Sequence, residues 1–241
     1  MAETFIALAC AHLIADFLFQ PGWLIRRKSR PQFLLLHILI VTILTAAILG
    51  SLNPYILGAI AVTHAAADYV KTMKFKDTLA PFVIDQLFHF AVIAAVAVAF
   101  PAAFDAGAWR ILSEDRAAAY IDALTVIAGF VAAVPSGAYL IEKFMTRLAG
   151  DRRDAAGGGA DLEGLPNGGF VIGCLERGII YILVVSGQAI GVGFLIAAKS
   201  LLRFGDIANS QHREIVEYII IGTFASFGWS LLVATLIAQR V

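Results

Sequence analysis

Long apolar runs dominate the chain, and polar residues are concentrated in the segments between them. The runs show neither the alternation of a half-buried strand nor the apolar stripe of a helix on a soluble protein. Most approach or exceed the ~20 residues that a helix needs to cross ~30 Å of hydrocarbon. The pattern therefore predicts an all-α fold, a polytopic transmembrane helix bundle of seven spans. The predicted spans are Phe5–Phe19, Phe33–Leu52, Ile56–Val70, Phe82–Phe100, Ala117–Ile141, Gly178–Ala198 and Ile215–Ala238.

Basic residues predict the orientation of these spans. The loops after the first and third spans are basic, and the turn between them carries no charge. Because basic loops tend to stay in the cytoplasm, the N-terminus is expected outside. Lys199, Arg203 and Arg213 then fall on the outer side of a seven-span bundle. This conflict leaves open an eight-span alternative, in which Gly169–Ser186 and Gly187–Leu202 are two short helices. The basic loop residues are Arg26, Arg27, Lys28 and Arg30, and Lys71, Lys74 and Lys76.

The composition supports a membrane protein and excludes other classes. Of the 241 residues 60% are hydrophobic, and the net charge is zero. No basic stripe with interleaved aromatic residues indicates a nucleic-acid partner, so the expected partner is the lipid bilayer. Cys10 and Cys174 lie in or beside apolar runs, which argues against a disulfide framework. The start, Met1-Ala2-Glu3, lacks a positive region, so the first run is interpreted as a retained span.

A polar, glycine-rich segment at residues 149–168 divides the chain. Its Gly157-Gly158-Gly159 run, among Asp and Arg residues, has the composition of a flexible linker. It separates a His- and Asp-rich transmembrane domain, residues 1–148, from C-terminal transmembrane helices at residues 169–241. The C-terminal helices are interpreted as a packing and assembly region. Glu176-Arg177 is either a buried ion pair or an interfacial one, and the interfacial pair is the favoured interpretation.

The N-terminal domain contains an internal repeat. Three pairs of rare polar residues share an offset of 52 positions (64 minus 12 for the first pair). Because the whole protein has only five His, we interpret the matches as a duplicated two-helix hairpin, at about residues 5–52 and 56–104, followed by a fifth span. Copies with two spans each are expected to share one orientation. The pairs are His12 and His64, Asp16 and Asp68, and His37 and His89.

Four consecutive predicted helices carry the candidate chemistry. Residues four apart lie on one helix face, and three His/Asp pairs have this spacing. The pairs are His12 with Asp16, His64 with Asp68, and His89 with Asp85. An ionised carboxylate in a membrane costs at least ~2.5–3.5 kcal/mol, so such groups are expected to converge and satisfy one another or bind a ligand. Imidazole and carboxylate together suit zinc, iron or manganese, whereas a proton relay would use the same residues.

In the metal interpretation, zinc is the first choice among divalent transition metals. The expected ligands are His12, Asp16, His64 and Asp68, with His37 and His89 completing or orienting the set. Asp85 is the candidate general base and Lys71 a candidate catalytic residue, although Lys71 can equally extend to the membrane surface with its basic neighbours.

The chain resembles a bacterial family of uncharacterised multi-pass membrane proteins, known only as a domain of unknown function. The resemblance covers roughly residues 1–130, and a tract from Gly169 to Phe227 looks like an extension found on some members. It implies a bacterial inner-membrane location but supplies no activity. By type of site only, the helices are also similar to membrane-embedded metal-dependent hydrolases such as the alkaline ceramidase group. The residues that carry the family resemblance are His12, Asp16, Gln20, Leu36, His37, His64, Asp68, Lys71, Asp85, Gln86 and His89.

Three functions are open at this point. The first is a membrane-embedded metal-dependent enzyme that hydrolyses a lipid or a lipid-linked substrate. The second is a transporter or channel for a metal ion or proton, which needs a polar path to both faces. The third is a structural assembly subunit with a polar network. A homo-oligomer is compatible with each of them.

Overall fold

The structure is a computed structural model that describes residues 1–150, 168–209 and 213–241, with side chains omitted for 202–209 and 213–215. It divides into two compact units, Met1–Val131 and Ala132–Val241. The described residues form helices and no strand, as the apolar pattern predicts. The flexible loop predicted at 149–168 lies almost wholly outside the described residues.

Six α-helices and one 3₁₀ turn build the first unit. The helices are α1 (Ala2–Phe17), α2 (Gly22–Ile25), α3 (Pro31–Leu49), α4 (Pro54–Lys74), α5 (Leu79–Ala99) and α6 (Glu114–Val131), and the 3₁₀ turn is Ala108–Ile111. α1 packs against α3, α5 and α6, while α3 packs on α4 and α4 on α5. Thus α1, α3, α4 and α5 form a ring of four helices, and α6 covers the remaining side of α1.

Local sequence signals fix the connection between α3 and α4. Gly50 follows α3 with a φ of 69°, a left-handed conformation that favours glycine at a helix end. Pro54 begins α4, where a missing backbone N–H costs nothing, and the Asn53 side chain accepts a hydrogen bond from the Tyr55 amide. The indole of Trp109 donates to the Ile48 carbonyl at 2.9 Å and fastens this end of the unit.

α1 has only 16 residues, which is short for a membrane span. Ten of its residues are buried and they are distributed around most of its circumference. The Thr4 hydroxyl donates to the Pro101 carbonyl at 3.0 Å and accepts from the Phe104 amide at 3.3 Å. α1 is therefore the central helix of the first unit and does not need to match the bilayer by itself.

The other three helices of the ring bury one narrow stripe each. In α3 the buried positions are His37, Val41, Thr45 and Leu49, which follow one another at intervals of four residues. The outer faces of α3 to α5 expose large apolar side chains, including Leu39, Ile43, Ile84 and Leu87. The stripes of α4 and α5 are Ile56, Ile60, His64 and Asp68, and Phe82, Asp85, His89, Ile93 and Val96. Apolar residues thus face outward, and the ionisable residues face the inside of the ring.

In the part of the second unit that the structure describes, the π-helical turn Ala132–Ser136 is followed by four α-helices. These are α7 (Gly137–Ala149), α8 (Gly168–Val185), α9 (Ile190–Asn209) and α10 (Arg213–Ala238). Pro135 lies within the π turn, where its missing N–H interrupts α-helical hydrogen bonding. α10 packs against α7, α8 and the π turn. Within this packing the Trp229 indole donates to the Ala132 carbonyl at 2.9 Å.

Among the described residues, five helices are long and apolar enough to cross a membrane, which agrees with a membrane protein. The predicted number of seven or eight spans is not confirmed. α1 is too short to be counted with these five helices, and α4 carries too many polar residues. The predicted single span Gly178–Ala198 is wrong as one continuous helix. The chain turns at Gly187, which has a φ of 76°, and this break separates α8 from α9. The candidate spans are Pro31–Leu49, Leu79–Ala99, Glu114–Ala149, Gly168–Val185 and Val216–Ala238, with Ile190–Leu201 as a shorter apolar helix.

Candidate metal centre

Seven ionisable residues converge at one end of the four-helix ring. α1 and α4 contribute their C-terminal halves, and α3 and α5 contribute their N-terminal halves, so all seven lie at the same end. Every one of them is less than 10% exposed. We call them the His/Asp cluster. Its members are His12, Asp16, His37, His64, Asp68, Asp85 and His89.

Asp16 and His64 lie at the centre of the His/Asp cluster. The Asp16 Oδ1 atom is 3.3 Å from the Nε2 atom of His37 and 3.4 Å from the Nε2 atom of His64. The two Nε2 atoms are themselves only 3.1 Å apart. The Asp68 Oδ2 atom lies 3.5 Å from His37 Nε2 and 3.6 Å from His64 Nε2. Two carboxylates and two imidazoles from three helices therefore point at one small volume.

His12 and His89 extend the cluster along the ring. The ring of His89 stacks on that of His64 with centroids 4.0 Å apart, and His12 is 4.9 Å from His89 by the same measure. His12 Nδ1 faces Asp16 Oδ1 at 3.8 Å, while its Nε2 meets the side-chain carbonyl of Gln86 at 3.3 Å. An outer partner of this kind can fix the tautomer and the orientation of a histidine that ligates a metal.

Asp85 presents its two oxygens to different partners. Its Oδ1 atom lies 3.4 Å from His89 Nε2, on the inside of the cluster. Its Oδ2 atom accepts hydrogen bonds from the Lys71 ammonium at 2.7 Å and from the Gln86 amide at 3.3 Å. Asp85 is therefore held in place through one oxygen and leaves the other directed at the cluster.

The donor atoms fit a divalent cation better than they fit one another. The atoms Asp16 Oδ1, Asp85 Oδ1 and His89 Nε2 are buried but lack a partner with hydrogen-bond geometry. Buried polar atoms without hydrogen bonds are costly, and a bound ion would satisfy them. Three groups of three residues each have ligand atoms within 4.8 Å of one another; His64 belongs to two of these groups and Asp68 to two. The groups are His12, Asp16 and His64; His37, His64 and Asp68; and Asp68, Asp85 and His89.

The two ends of the ring differ in polarity. A small cavity touches His12, His64 and His89 and leaves about 10 Å³ for the centres of water molecules, roughly the room for one water. Leu8 and Val41 also line this cavity, and further buried apolar residues fill the ring beyond it. The cluster thus borders a space for one water on one side and a dry core behind it.

The structure brings together all six sequence-predicted metal ligands and both predicted catalytic residues. Asp85, expected as a general base, also belongs to one of the three donor groups. Lys71 contacts Asp85 and is not simply a surface residue. Gln20 lies three residues beyond the end of α1 at Phe17, so the helical spacing of His12 and Asp16 does not extend to it.

Lys28 is the functional candidate that the sequence did not single out. Its ammonium lies 2.5 Å from Asp68 Oδ2, and its side chain is 9% exposed. In the sequence it is one of four basic residues in a loop and carries no distinguishing spacing. The only local signal is the apolar Leu24, which is 1% exposed and anchors the loop against the first unit.

Neither the curated proteins nor the solved structures contain a match to this chain. One family model matches, and it covers residues 4–115, which include the whole His/Asp cluster. That model is described as "Protein of unknown function (DUF3307)", so the expected resemblance to an uncharacterised family is confirmed for this segment of the chain.

Proposed function

We propose that the protein is a membrane-embedded metal-dependent enzyme that hydrolyses a lipid or a lipid-linked substrate. The observation that carries this proposal is the convergence of four imidazoles and three carboxylates inside a ring of helices whose outer faces are apolar. Burial of so many ionisable groups is expensive unless they bind something, because an unpaired charge in a membrane costs at least ~2.5–3.5 kcal/mol.

The ligand set proposed for the metal is His12, Asp16, His37, His64, Asp68 and His89. Imidazole nitrogen with carboxylate oxygen is a donor set for zinc, which we propose as the metal. The overlap of the donor groups at His64 and Asp68 leaves room for one ion or for two. A divalent metal would supply Lewis acidity and would acidify a coordinated water to a pKa of about 7.

Asp85 and Lys71 are the proposed catalytic residues outside the imidazole set. Asp85 Oδ1 faces the cluster and can accept a proton there. Lys71 is 26% exposed, the most accessible of the charged groups in contact with the cluster, so it lies where a substrate would approach. Its ammonium positions the Asp85 carboxylate and can also attract an anionic part of a substrate.

The apolar end of the ring favours an enzyme over a transporter. A transporter needs a polar path through the bundle, whereas an enzyme needs one opening. Leu8, Val41, Ile60 and Ile93 are all buried beside the cavity. Apart from its three histidines, the polar residues that line this cavity are Thr45 and Thr63, and the Thr63 hydroxyl donates to its own helix at 2.6 Å.

The proposal also covers the origin of the first unit, the membrane orientation and the number of spans. We propose that the first unit arose from a duplicated hairpin, since His12, Asp16 and His37 supply the cluster from one half and His64, Asp68 and His89 from the other. We also propose an inner-membrane location with the basic loops in the cytoplasm and the N-terminus outside, and seven or eight spans.

A lipid-hydrolysis assay tests the proposal. The purified protein, loaded with zinc and reconstituted in liposomes, is incubated with lipids that contain ester, amide and phosphoester bonds, and products are measured by mass spectrometry. We expect Asp85→Asn to lower the rate by roughly 10²–10⁴, the usual contribution of a general base, while metal remains bound.

Asp122→Asn is the matched control, because Asp122 lies exposed on α6 in the same unit. It should leave the rate unchanged. A zinc-loaded protein that hydrolyses none of these bonds would contradict the enzyme proposal. Ion flux in proteoliposomes that depends on Asp16 and Asp68 would favour the transporter instead.

A further inference from the structure

The second unit has a polar cavity of its own, which shares no residue with the His/Asp cluster. The cavity has a volume of about 250 Å³ and is lined by α7, α8, α9 and α10. Its polar lining includes Glu176, Arg177, Lys199, Tyr218 and Ser226. None of these residues is used by the function proposed above. We call it the second-unit cavity.

Arg177 is the most unusual residue of this cavity. It lies near the middle of the candidate span Gly168–Val185, and it is 3% exposed. Its Nη1 donates to the Ser226 hydroxyl at 2.9 Å, its Nε to the Val134 carbonyl at 3.3 Å, and its Nη2 to the Cys174 sulfur at 3.4 Å. Within the described part of the chain none of its hydrogen-bond partners is a carboxylate. The direct hydrogen bonds of its guanidinium are therefore made to neutral groups.

The neighbouring ion pair does not neutralise Arg177. Glu176 accepts a hydrogen bond from the Lys199 ammonium at 2.5 Å, so the adjacent carboxylate is occupied by a different cation. Two cations and one carboxylate leave a formal charge of plus one among the charged side chains described around the cavity. A buried charge in a membrane protein is costly, and ionisable residues at such positions commonly mark a ligand site.

Glycines shape the cavity around the guanidinium. A Cβ atom on Gly173 would lie 3.2 Å from Arg177 Nη1, so a larger residue would crowd the guanidinium. A Cβ on Gly169 would meet nothing within 4 Å, which shows open space one turn earlier on α8. The cavity therefore extends from Arg177 towards the end of the unit at which α8 begins and α7 ends.

We propose that the second-unit cavity binds a phosphate group, with Arg177 as its deepest contact and Lys199 at its side. Guanidinium groups suit phosphate because their N–H donors match its oxygens in a planar arrangement. The Tyr218 hydroxyl and the Lys199 ammonium offer further donors along the lining. The phosphate belongs either to the headgroup of an anionic lipid or to a free ion, and both sources use the same chemistry.

The test uses opposite charge changes within one ion pair. Arg177 itself is a poor choice, because its bonds to Val134 and Ser226 also hold the helices together. Lys199→Gln removes one positive charge, and Glu176→Gln removes the negative one, yet both break the same ion pair. For a phosphate site Lys199→Gln should weaken binding about tenfold and Glu176→Gln should strengthen it about tenfold, from the Coulomb energy of one charge at close range.

Binding is measured on the full chain in a neutral detergent with a chelator present, so that metal in the first unit does not contribute. Native mass spectrometry compares the binding of phosphatidylglycerol with that of phosphatidylcholine, and calorimetry measures the binding of inorganic phosphate. Preferential binding of phosphatidylglycerol with the opposite shifts supports a lipid headgroup, and binding of inorganic phosphate alone with these shifts supports a free ion.

Arg147→Gln, which removes an exposed arginine from α7 of the same unit, is the control and should change neither affinity. The proposal is overturned if neither probe binds. It is also overturned if both ion-pair variants shift the affinity in the same direction, because that result reports only a broken structural contact.

Discussion

The two units bury charge in opposite ways. In the first unit, three carboxylates and two ammonium groups leave one formal negative charge when the four imidazoles are neutral. The atoms that face the inside of the cluster are carboxylate oxygens and imidazole nitrogens, which can ligate a metal. In the second unit, the two cations Arg177 and Lys199 accompany a single carboxylate, and three hydroxyl groups complete the polar lining of the cavity. One arrangement suits a cation and the other an anion, although both lie on the inward faces of apolar helices.

This difference shows that burial alone does not predict what a membrane site binds. The sign of the net charge at the site and the chemistry of its polar groups decide which ion it binds. The His/Asp cluster combines imidazole nitrogens and carboxylate oxygens in three groups, and within each group the ligand atoms lie within 4.8 Å of one another, close enough to share one ion. The second-unit cavity is larger and has one guanidinium at its base, which suits a polyatomic anion better than a single ion.

Among the substitutions that test this comparison of the two units, Lys28→Met is expected to have the largest effect. The Lys28 ammonium lies on Asp68 Oδ2, an atom that a metal ion would need, so it competes with the metal as a tethered cation. Removing it should raise the affinity of the first unit for zinc by roughly tenfold, since one nearby positive charge is lost. A competition titration against a fluorescent chelator measures this change.

Lys74→Met is the control, because Lys74 is an exposed residue at the end of α4. It should change the affinity little, since exposed charges are screened. Unchanged or weaker zinc binding in Lys28→Met would show that Lys28 supports the site structurally and would contradict the competition described here.

Ser230→Ala has a smaller expected effect and tests whether the second unit is stabilised around Arg177. The buried Ser230 hydroxyl donates to the Arg177 carbonyl at 2.8 Å. Its loss should lower the free energy of unfolding by about 1 kcal/mol, the usual net value of one hydrogen bond, and leave the metal content unchanged. Denaturant titration in detergent, followed by Trp fluorescence, measures the change.

Ser200→Ala is matched to it, because the exposed Ser200 hydroxyl donates only to the Ile196 carbonyl of its own helix. The control should alter stability by less than Ser230→Ala. A loss of metal in Ser230→Ala would break the separation of the two sites on which the comparison rests.

The sequence predicted the inward helix faces of the first unit well. Residues four apart lie on one helix face, so the spacing alone pairs His12 with Asp16 and His64 with Asp68. The apolar runs likewise predicted helices, but they did not predict where each helix ends. The break at Gly187 depends on a positive φ, and the interruption at Pro135 on a lost hydrogen bond, and hydropathy reports neither.

What the sequence could not predict depends on contacts between distant segments. Lys28 looks like its neighbours Arg27 and Arg30, and only the path of its loop carries it to Asp68. The interpretation of Glu176-Arg177 as one interfacial pair was wrong, because Glu176 pairs with Lys199 and Arg177 turns inward to Ser226. Adjacent residues on a helix point in different directions, so the two partners came from other helices.

Elemental analysis tests the central claim most directly. The protein is purified in mild detergent without chelator or metal-affinity tag, beside a His12→Ala/His64→Ala variant, and metal is measured by inductively coupled plasma mass spectrometry. We expect about one or two equivalents of a transition metal in the unaltered protein, because three donor groups overlap at two shared residues, and none in the variant. No metal in either sample, after incubation with zinc, would contradict a metal centre in the first unit.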